Sequence, residues 1–485
     1  MKIPALAALL FPLLFLVPSS ASAMAQASAT SAPTTQTTTS SAAAAPAASP
    51  ATAQAYNLSP DKLAKAEKLS RFRTTMSFVQ SLWGLAVLWI LLATGAVAAL
   101  ERWAKRQLPQ RWLQGLLFFA VFLVLTSLPD LPLDMLSHWV STRYGISVQG
   151  WAGWFADLGK GLALTLVFGP LLMLLFNWIV RRSPRRFWLW GWLVMLPLMI
   201  FGTMGSPYLE PLFNKFEPLA QNHAQLVGKL EQVVARTGTN IPPERMFLMK
   251  ASLKSNGLNA YVSGLGQSKR IVVWDTTAGR IPDDEIQFIF GHESGHYVLN
   301  HIVKDIAASA IFTFFLFWFC AAGAQKLARR VGPRWGLFEL LATESSSTQP
   351  LSASAEAPPT EAEEQPAPTA KPESLLASRT GFVVLILVVA IAQFFLTPVG
   401  NTFSRHQEHE ADIYGQEAMH GLVADPQKTA VSAFNHLGEA WLEDPNPSPF
   451  IEFWEYSHPS VQTRARFASQ YNPWANGGHG RFFTK

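Results

Sequence analysis

Six apolar blocks interrupt the sequence, and they have the lengths of helices that cross a bilayer, which needs about 20 residues. Backbone polar groups must be satisfied inside a membrane, so such blocks favour helices. Only 15% of the 485 residues are charged and 49% are hydrophobic, which is too apolar for an ordinary soluble protein of this size. The chain is therefore predicted to be a mainly α, polytopic membrane protein. The predicted spans are Met76–Leu100, Leu113–Leu128, Trp154–Val180, Phe187–Gly205, Ile306–Gly323 and Gly381–Val399.

The spans divide the chain into membrane and polar regions. Residues 56–205 are predicted to hold four spans, and residues 306–399 are predicted to hold two more. Residues 206–305 and 400–485 are larger polar regions in which chemistry can be carried out.

The chain begins with an export-like segment. Residues 1–23 join Lys2 to an apolar run at Ala5–Val17 and a small-residue cleavage site, which predicts a signal peptide; an uncleaved anchor is the alternative. Residues 24–55 and 344–373 are rich in Ala, Ser, Thr, Pro or Glu and have little to bury, so they are predicted to be disordered.

Basic residues are concentrated in particular loops. The formal net charge of +5 does not indicate nucleic-acid binding, because Arg and Lys gather beside the spans. The loops after the first, third and fifth spans are basic, whereas the loop after the second span carries only Arg143. The positive-inside rule therefore places both polar regions outside the cytoplasm, which agrees with an export signal. The basic stretch Lys62–Arg73, before the first span, opposes this orientation.

The segment Gly291–His296 contains the pattern H-E-x-x-H. On a helix, His292 and His296 share one face and can present two imidazole nitrogens to one metal ion. Glu293 can then reach a metal-activated water and take its proton. The alternative is a helix with two surface histidines, but such a helix has no reason to lead into an apolar span.

The residues around the motif predict a compact α+β region. Asp283 or Asp284 can cap the helix that carries the motif. An apolar stripe in 225–236 predicts a further helix, and three short segments have the composition of strands. These segments are Met246–Met249, Leu258–Val262 and Ile271–Trp274.

A catalytic zinc site needs a third protein ligand and an open position. Cys320 is the single cysteine, so a cysteine metal cluster is excluded. The segment Ser404–Asp412 directly follows the last span, and its Glu408 and Asp412 share a helical face. Spacing alone leaves four candidates open: His406, Glu408, His409 and Glu410.

From about Tyr56 to Phe467 the chain resembles the CAAX prenyl endopeptidase family, which are integral-membrane zinc proteases that act on prenylated proteins. Five motifs in the same order carry the resemblance. They are Pro211–Phe216, Asn259–Tyr261 with Lys269–Val272, Gly291–His301, Ser404–Asp412, and His458–Pro459 with Arg464.

The resemblance assigns roles to residues outside H-E-x-x-H. It implies that Glu408 is the third ligand of one zinc ion per chain and that Asp412 is a supporting carboxylate. It also implies that His458 stabilises the oxyanion of the tetrahedral intermediate, with Arg464 nearby.

The resemblance also implies a substrate strand and an architecture. Asn259, Ala260 and Tyr261 would form an edge strand that pairs with an extended substrate. A ring of membrane helices would enclose a water-filled chamber, with a small α+β zincin-like region at one end. Asp157 and Lys160, near one end of the third span, would line such a chamber; the membrane interface is the other location for them.

The predicted function is a zinc-dependent membrane endopeptidase. Its partners would be a peptide or protein substrate, lipidated or membrane-associated, and the lipid bilayer, with no nucleic acid. The export signal and compact build indicate a bacterial inner-membrane protein with an outward catalytic side. Two alternatives are a membrane quality-control protease without prenyl specificity and a non-catalytic polytopic membrane protein.

Overall fold

The computed structural model describes residues 55–337 and 372–484, and within this part six helices are long and apolar enough to span a membrane. The prediction of six spans is confirmed. The predicted signal, and the two predicted disordered segments apart from residues 55 and 372–373, lie outside the described residues. The helices are α1 Pro60–Ala93, α2 Ala96–Gln107, α3 Arg111–Ser127, α4 Leu131–Arg143, α5 Trp151–Arg182, α6 Phe187–Leu209, α7 Ala224–Thr237, α8 Asp275–Ala278, α9 Asp283–Val298, α10 His301–Val331, α11 Arg379–Ala418, α12 Pro426–Trp441, α13 Pro449–Glu455 and α14 Val461–Gln470.

The first span differs from its predicted bounds. It was predicted to continue to Leu100, but α1 ends at Ala93. Gly95 has φ of 71°, a left-handed conformation that glycine adopts at little cost, and a separate helix, α2, starts after it. The apolar run therefore turns a corner that hydropathy does not detect.

A cluster of buried polar side chains lies at the end of the helix bundle where α2 packs. Glu101 is 1% exposed and accepts hydrogen bonds from the backbone N–H and the hydroxyl of Thr380, both at 2.8 Å. Arg379 lies 3.7 Å from Glu101 and donates to the carbonyl of Arg111 at 2.8 Å. These contacts join α2, α3 and the start of α11.

The other basic loops lie at this same end. Asn177, near the end of α5, is 3.4 Å from the carbonyl of Ser378, just before α11. Trp89 of α1 packs edge-on against Trp335, which follows α10, with ring centroids 5.2 Å apart. The three basic loops thus share one end of the bundle, and the H-E-x-x-H helix precedes the opposite end of α10.

A mixed sheet contains four short strands: β1 Phe216–Pro218, β2 Met246–Met249, β3 Ala260–Ser263 and β4 Arg270–Trp274. They lie in the order β1-β2-β4-β3. β2 and β4 are parallel, with Met246 opposite Ile271, and the outer strands are antiparallel to them. The predicted strands are present, and β3 lies at an edge of the sheet.

The helix α9 lies in the core of the polar region, against β3, α7, α11 and α12. Phe288 packs edge-on against Phe434 of α12 with centroids 5.3 Å apart. A Cβ at Gly415 of α11 would lie 2.8 Å from the backbone nitrogen of His292. Glycine at this position therefore allows α11 to pass close beside the H-E-x-x-H residues.

The predicted cap of α9 is wrong. The N-cap residue is Pro282, and Asp283 and Asp284 lie in the first turn. Both carboxylates pair with Lys229 of α7, at 3.5 and 2.8 Å. Negative charges at the N-terminal end of a helix interact favourably with the helix dipole, and here they also connect α9 to α7.

The basic stretch that opposed the predicted orientation packs against the polar region. Lys62 pairs with Glu439 of α12, and Arg73 donates to the carbonyl of Trp441 at 3.1 Å. Since contacts with α12 use these two cations, the stretch is a weaker topology signal than a free basic loop.

Asp157 of α5 is 3% exposed and forms ion pairs with two lysines. Lys160 lies 3.1 Å away, and Lys254 comes from the segment between β2 and β3. The pairing joins α5 to the polar region.

Candidate metal centre

The side chains of His292, His296 and Glu408 converge where α9 meets α11. The Nε2 atoms of the histidines are 3.3 Å apart, and they lie 3.3 and 3.6 Å from the two carboxylate oxygens of Glu408. Nitrogen and oxygen ligands about 2.0–2.1 Å from one tetrahedral ion are themselves about 3.4 Å apart. The spacing of these donors therefore fits one such ion.

The environment of Glu408 also fits a metal ion. Its side chain is 2% exposed, and its Oε2 atom has no hydrogen-bond partner among the described residues. A buried carboxylate oxygen without a partner is costly, whereas a bound cation would satisfy it.

Asp412 orients the first histidine. Its Oδ1 lies 2.9 Å from Nδ1 of His292, on the side of the ring away from Glu408. Arg464 of α14 holds Asp412 through contacts of 2.6 and 2.9 Å and lies over the ring of Phe434. This arrangement leaves Nε2 of His292 free to face a metal.

The second histidine has a support that the sequence prediction missed. Nδ1 of His296 lies 3.0 Å from Nδ1 of His301, whose Nε2 is 3.4 Å from Glu410. Arg481, near the C-terminus, donates to Glu410 at 2.7 Å. The five-residue interval between His296 and His301 was visible in the sequence, but a regular helix would place them on different faces.

A pocket beside the three ligand candidates contains the predicted base. Glu293 lines it and lies near the backbone of Val262 in β3. His458 lies 3.2 Å from Glu408 through its Nε2 atom, while its Nδ1 is 2.9 Å from Ser457 Oγ. All the predicted site residues are thereby brought to one place. The remaining residues on the pocket wall that were predicted from sequence are Asn259, Ala260, Tyr261 and Arg464.

The side chain of Tyr261 makes contacts that its predicted place in the substrate-binding strand does not require. Its hydroxyl donates to Glu210 at 2.8 Å, and its ring packs in a cluster with Met249 and Trp274. The strand begins at Ala260, and the backbone N–H of Asn259 donates to the hydroxyl of Thr277 at 2.7 Å. The side chain of Tyr261 is thus anchored within the protein.

Burial and charge shift the ionisation of the site. Burial raises the pKa of Glu293 to about 7, and burial lowers the pKa of His296 to about 3. Burial also acts to lower the pKa of His292, but the nearby carboxylates of Asp412 and Glu408 outweigh it and raise that pKa to about 9. The Glu293 carboxyl thus ionises near neutral pH, as suits a general base.

Comparison with known families agrees with this geometry. Residues 220–472, more than half of the chain, match the model of peptidase family M48. The chain belongs to peptidase family M48. Residues 42–215 match the CAAX prenyl protease N-terminal model, described as five membrane helices.

Individual relatives cover much of the chain. The uncharacterized metalloprotease YhfN of Bacillus subtilis is 30% identical over 415 residues, which are 85% of this chain and 87% of the relative. CAAX prenyl protease 1 of Saccharomyces cerevisiae is 34% identical over 208 residues, 42% of this chain and 45% of the relative. The crystal structure of S. mikatae Ste24p has the same fold, with a TM-score of 0.67, 24% identity, and coverage of 87% of this chain and 91% of that one.

The M48 chain is an integral-membrane, multi-pass metalloendopeptidase. Its recognition as a relative of the CAAX prenyl endopeptidases is confirmed, as is the mainly α fold with a small sheet. The non-catalytic alternative is excluded, and a protein or peptide is its substrate.

Proposed function

We propose that the metal of this endopeptidase is zinc, one ion per chain, bound by His292, His296 and Glu408. The convergence of these three donors at 3.3–3.6 Å carries the proposal. Two imidazoles and a carboxylate match catalytic zinc sites, which leave the fourth position open. Metal analysis of the purified chain should find about one zinc per molecule. A different metal, or no metal, would refute the proposal.

Glu293 is the proposed base. A zinc ion in such a site lowers the pKa of water and polarises the scissile carbonyl. Glu293 takes the proton of the attacking water and delivers it to the leaving amine. Its raised pKa suits both steps, and its carboxylate lies in the pocket near the backbone of Val262.

The free edge of β3 is the proposed substrate-binding surface. β3 pairs with β4 on one side only, and residues 259–261 line the pocket that contains Glu293. An extended substrate would add a strand here through main-chain hydrogen bonds, which tolerate many sequences. The side chain of Tyr261 would hold the strand in place through Glu210. The backbone of Asn259 and Tyr261 faces β4, so the backbone groups of Ala260 and Val262 would face the substrate.

His458 is the proposed donor to the oxyanion. Replacing it with alanine should lower the rate constant of hydrolysis by about 10²–10³, because one preorganised donor is lost in the transition state. KM and zinc content should change little, since His458 contacts Glu408 without belonging to the ligand set. Steady-state kinetics and metal analysis would test this, with His458→Gln as a variant that keeps a donor. A normal rate for His458→Ala would contradict the role.

The catalytic region is proposed to lie outside the cytoplasm of a bacterial inner membrane. All three basic loops share the end of the bundle opposite α9, and the opposing stretch before the first span packs on α12. A topology reporter fused after Lys485 should be active only outside the cytoplasm, whereas a reporter fused after Arg334 should be active only inside. The reverse pair of signals would overturn the orientation.

The substrate is proposed to be a membrane-associated protein. Two kinds of substrate are compatible with the site: a lipidated protein and a protein without a lipid. Relatives carry the name CAAX prenyl protease, which supports a lipidated substrate, and a water-filled chamber among the helices would admit it. The export-like N-terminus instead favours a quality-control protease of envelope proteins. Proteins retained by an inactive Glu293→Gln variant, identified with and without their lipid, would distinguish the two.

A further inference from the structure

Each of the two ligand histidines is supported by a chain of contacting side chains, called an arm below. His292 meets Asp412, which is held by Arg464. His296 contacts His301, and His301 contacts Glu410. Glu410 forms an ion pair with Arg481. Each arm ends in a carboxylate paired with an arginine, and both arms approach the Nδ1 side of a ring.

A break between two helices places His301 beside His296. On a continuous helix, residues five apart point about 140° away from each other. Asn300 has φ of 59°, so α9 and α10 are separate helices and the ring of His301 turns back toward α9. His301 is fully buried, and its ring lies edge-on to His296 with centroids 5.0 Å apart.

The hydrogen bonds of this arm are consistent with only one set of proton positions when a metal is bound. If Nε2 of His296 ligates zinc, its Nδ1 carries the proton and donates it to Nδ1 of His301. Nε2 of His301 must then carry a proton, and it faces the carboxylate of Glu410 at 3.4 Å. Every member therefore has a matching partner.

The C-terminal segment, here Gly480–Phe483, supplies the end of the arm. The carboxylate of Glu417 in α11 accepts hydrogen bonds from the backbone N–H groups of Arg481, Phe482 and Phe483, at 2.6, 2.6 and 3.0 Å. Both phenyl rings pack against Tyr414. The segment is thus fixed on α11, which places the guanidinium of Arg481 on Glu410.

We propose that His301 and Glu410, held by Arg481 of the C-terminal segment, are positioning residues that fix the tautomer and orientation of the zinc ligand His296. The proposal rests on the zinc site proposed above. Partners of this kind typically contribute 10–100-fold to metal affinity. The C-terminal segment thereby acts on the metal from outside the matched M48 region, which ends at residue 472.

The test measures how fast the full-length, detergent-purified protein releases zinc to a coloured chelator. His301→Ala should release zinc about 10–100-fold faster than wild type, because Nδ1 of His296 loses its acceptor. His301→Asn should recover part of the loss, since an amide oxygen can replace Nδ1 of the ring. His420→Ala is the matched control, because its ring stacks on Trp474 and makes no contact with the metal ligands.

Glu410 and Arg481 provide variants outside the buried core. Glu410→Ala should also release zinc faster, and Arg481→Gln should do so by a smaller factor because Arg481 is half exposed. We expect both variants to stay folded. Thermal unfolding is measured in parallel to show that faster zinc release does not come from loss of the fold. If His301→Ala does not fold, these two variants and His301→Asn carry the test.

The possible results separate the two proposals. Wild type that holds zinc, together with His301 and Glu410 variants that release it at the wild-type rate, would overturn the positioning role alone. Wild type that holds no zinc would overturn both proposals. Faster release from the His301 and Glu410 variants but not from His420→Ala would support the arm.

Discussion

Replacing Glu293 with glutamine should lower the rate of peptide hydrolysis by about 10²–10⁴ while leaving zinc bound. Glutamine has nearly the same shape but cannot accept a proton. The carboxylate lies in the catalytic pocket beside the edge strand, and it is not one of the three converging donors. Its loss should therefore remove proton transfer and spare the metal.

The measurement pairs kcat with zinc content in the same sample. Glu285→Gln is a matched control, because it removes a different carboxylate of α9, one whose partners are Ser432 and His436. That variant should retain most of the activity per folded molecule. Hydrolysis by Glu293→Gln at the wild-type rate would show that another group acts as base. Loss of zinc from it would place Glu293 among the groups that hold the metal.

Much of the fold could be predicted from local pattern. The apolar blocks predict six spans because a membrane helix needs a continuous run of apolar residues, and the four-residue interval of His292 and His296 predicts a shared face. Three of the four strands were predicted because they are short and β-branched or apolar, whereas β1 was not. The break at Gly95 was not found, since the run of apolar residues continues through it.

The rest of the site depends on contacts between distant segments. On α11, Glu408 and Glu410 point in different directions, and only the crossing with α9 decides which of them faces the metal. Gly415 allows that crossing, but nothing local distinguishes it from other glycines. The resemblance to a known family predicted Glu408, whereas the turn at Asn300 that brings His301 into the site has no comparable signal.

Replacing Glu408 with alanine should abolish stoichiometric zinc binding and, with it, all peptidase activity. Three protein donors become two, and both remaining histidines belong to α9. Two neighbouring side chains would also lose a contact, because His458 and Arg464 lie 3.2 and 3.8 Å from Glu408. The loss of zinc should exceed that of Glu410→Ala, which removes only a support.

The comparison of these two carboxylates tests how the metal connects distant parts of the chain. His292 and His296 precede α10, and Glu408 arrives only after α11 has crossed the bundle. Zinc bound by all three should therefore stabilise the packing of α9 on α11, so adding a chelator should lower the unfolding temperature of wild type but not of Glu408→Ala. Zinc analysis and thermal unfolding together would decide the assignment: a Glu408→Ala protein that keeps one zinc, alongside a Glu410→Ala protein that keeps none, would make Glu410 the ligand.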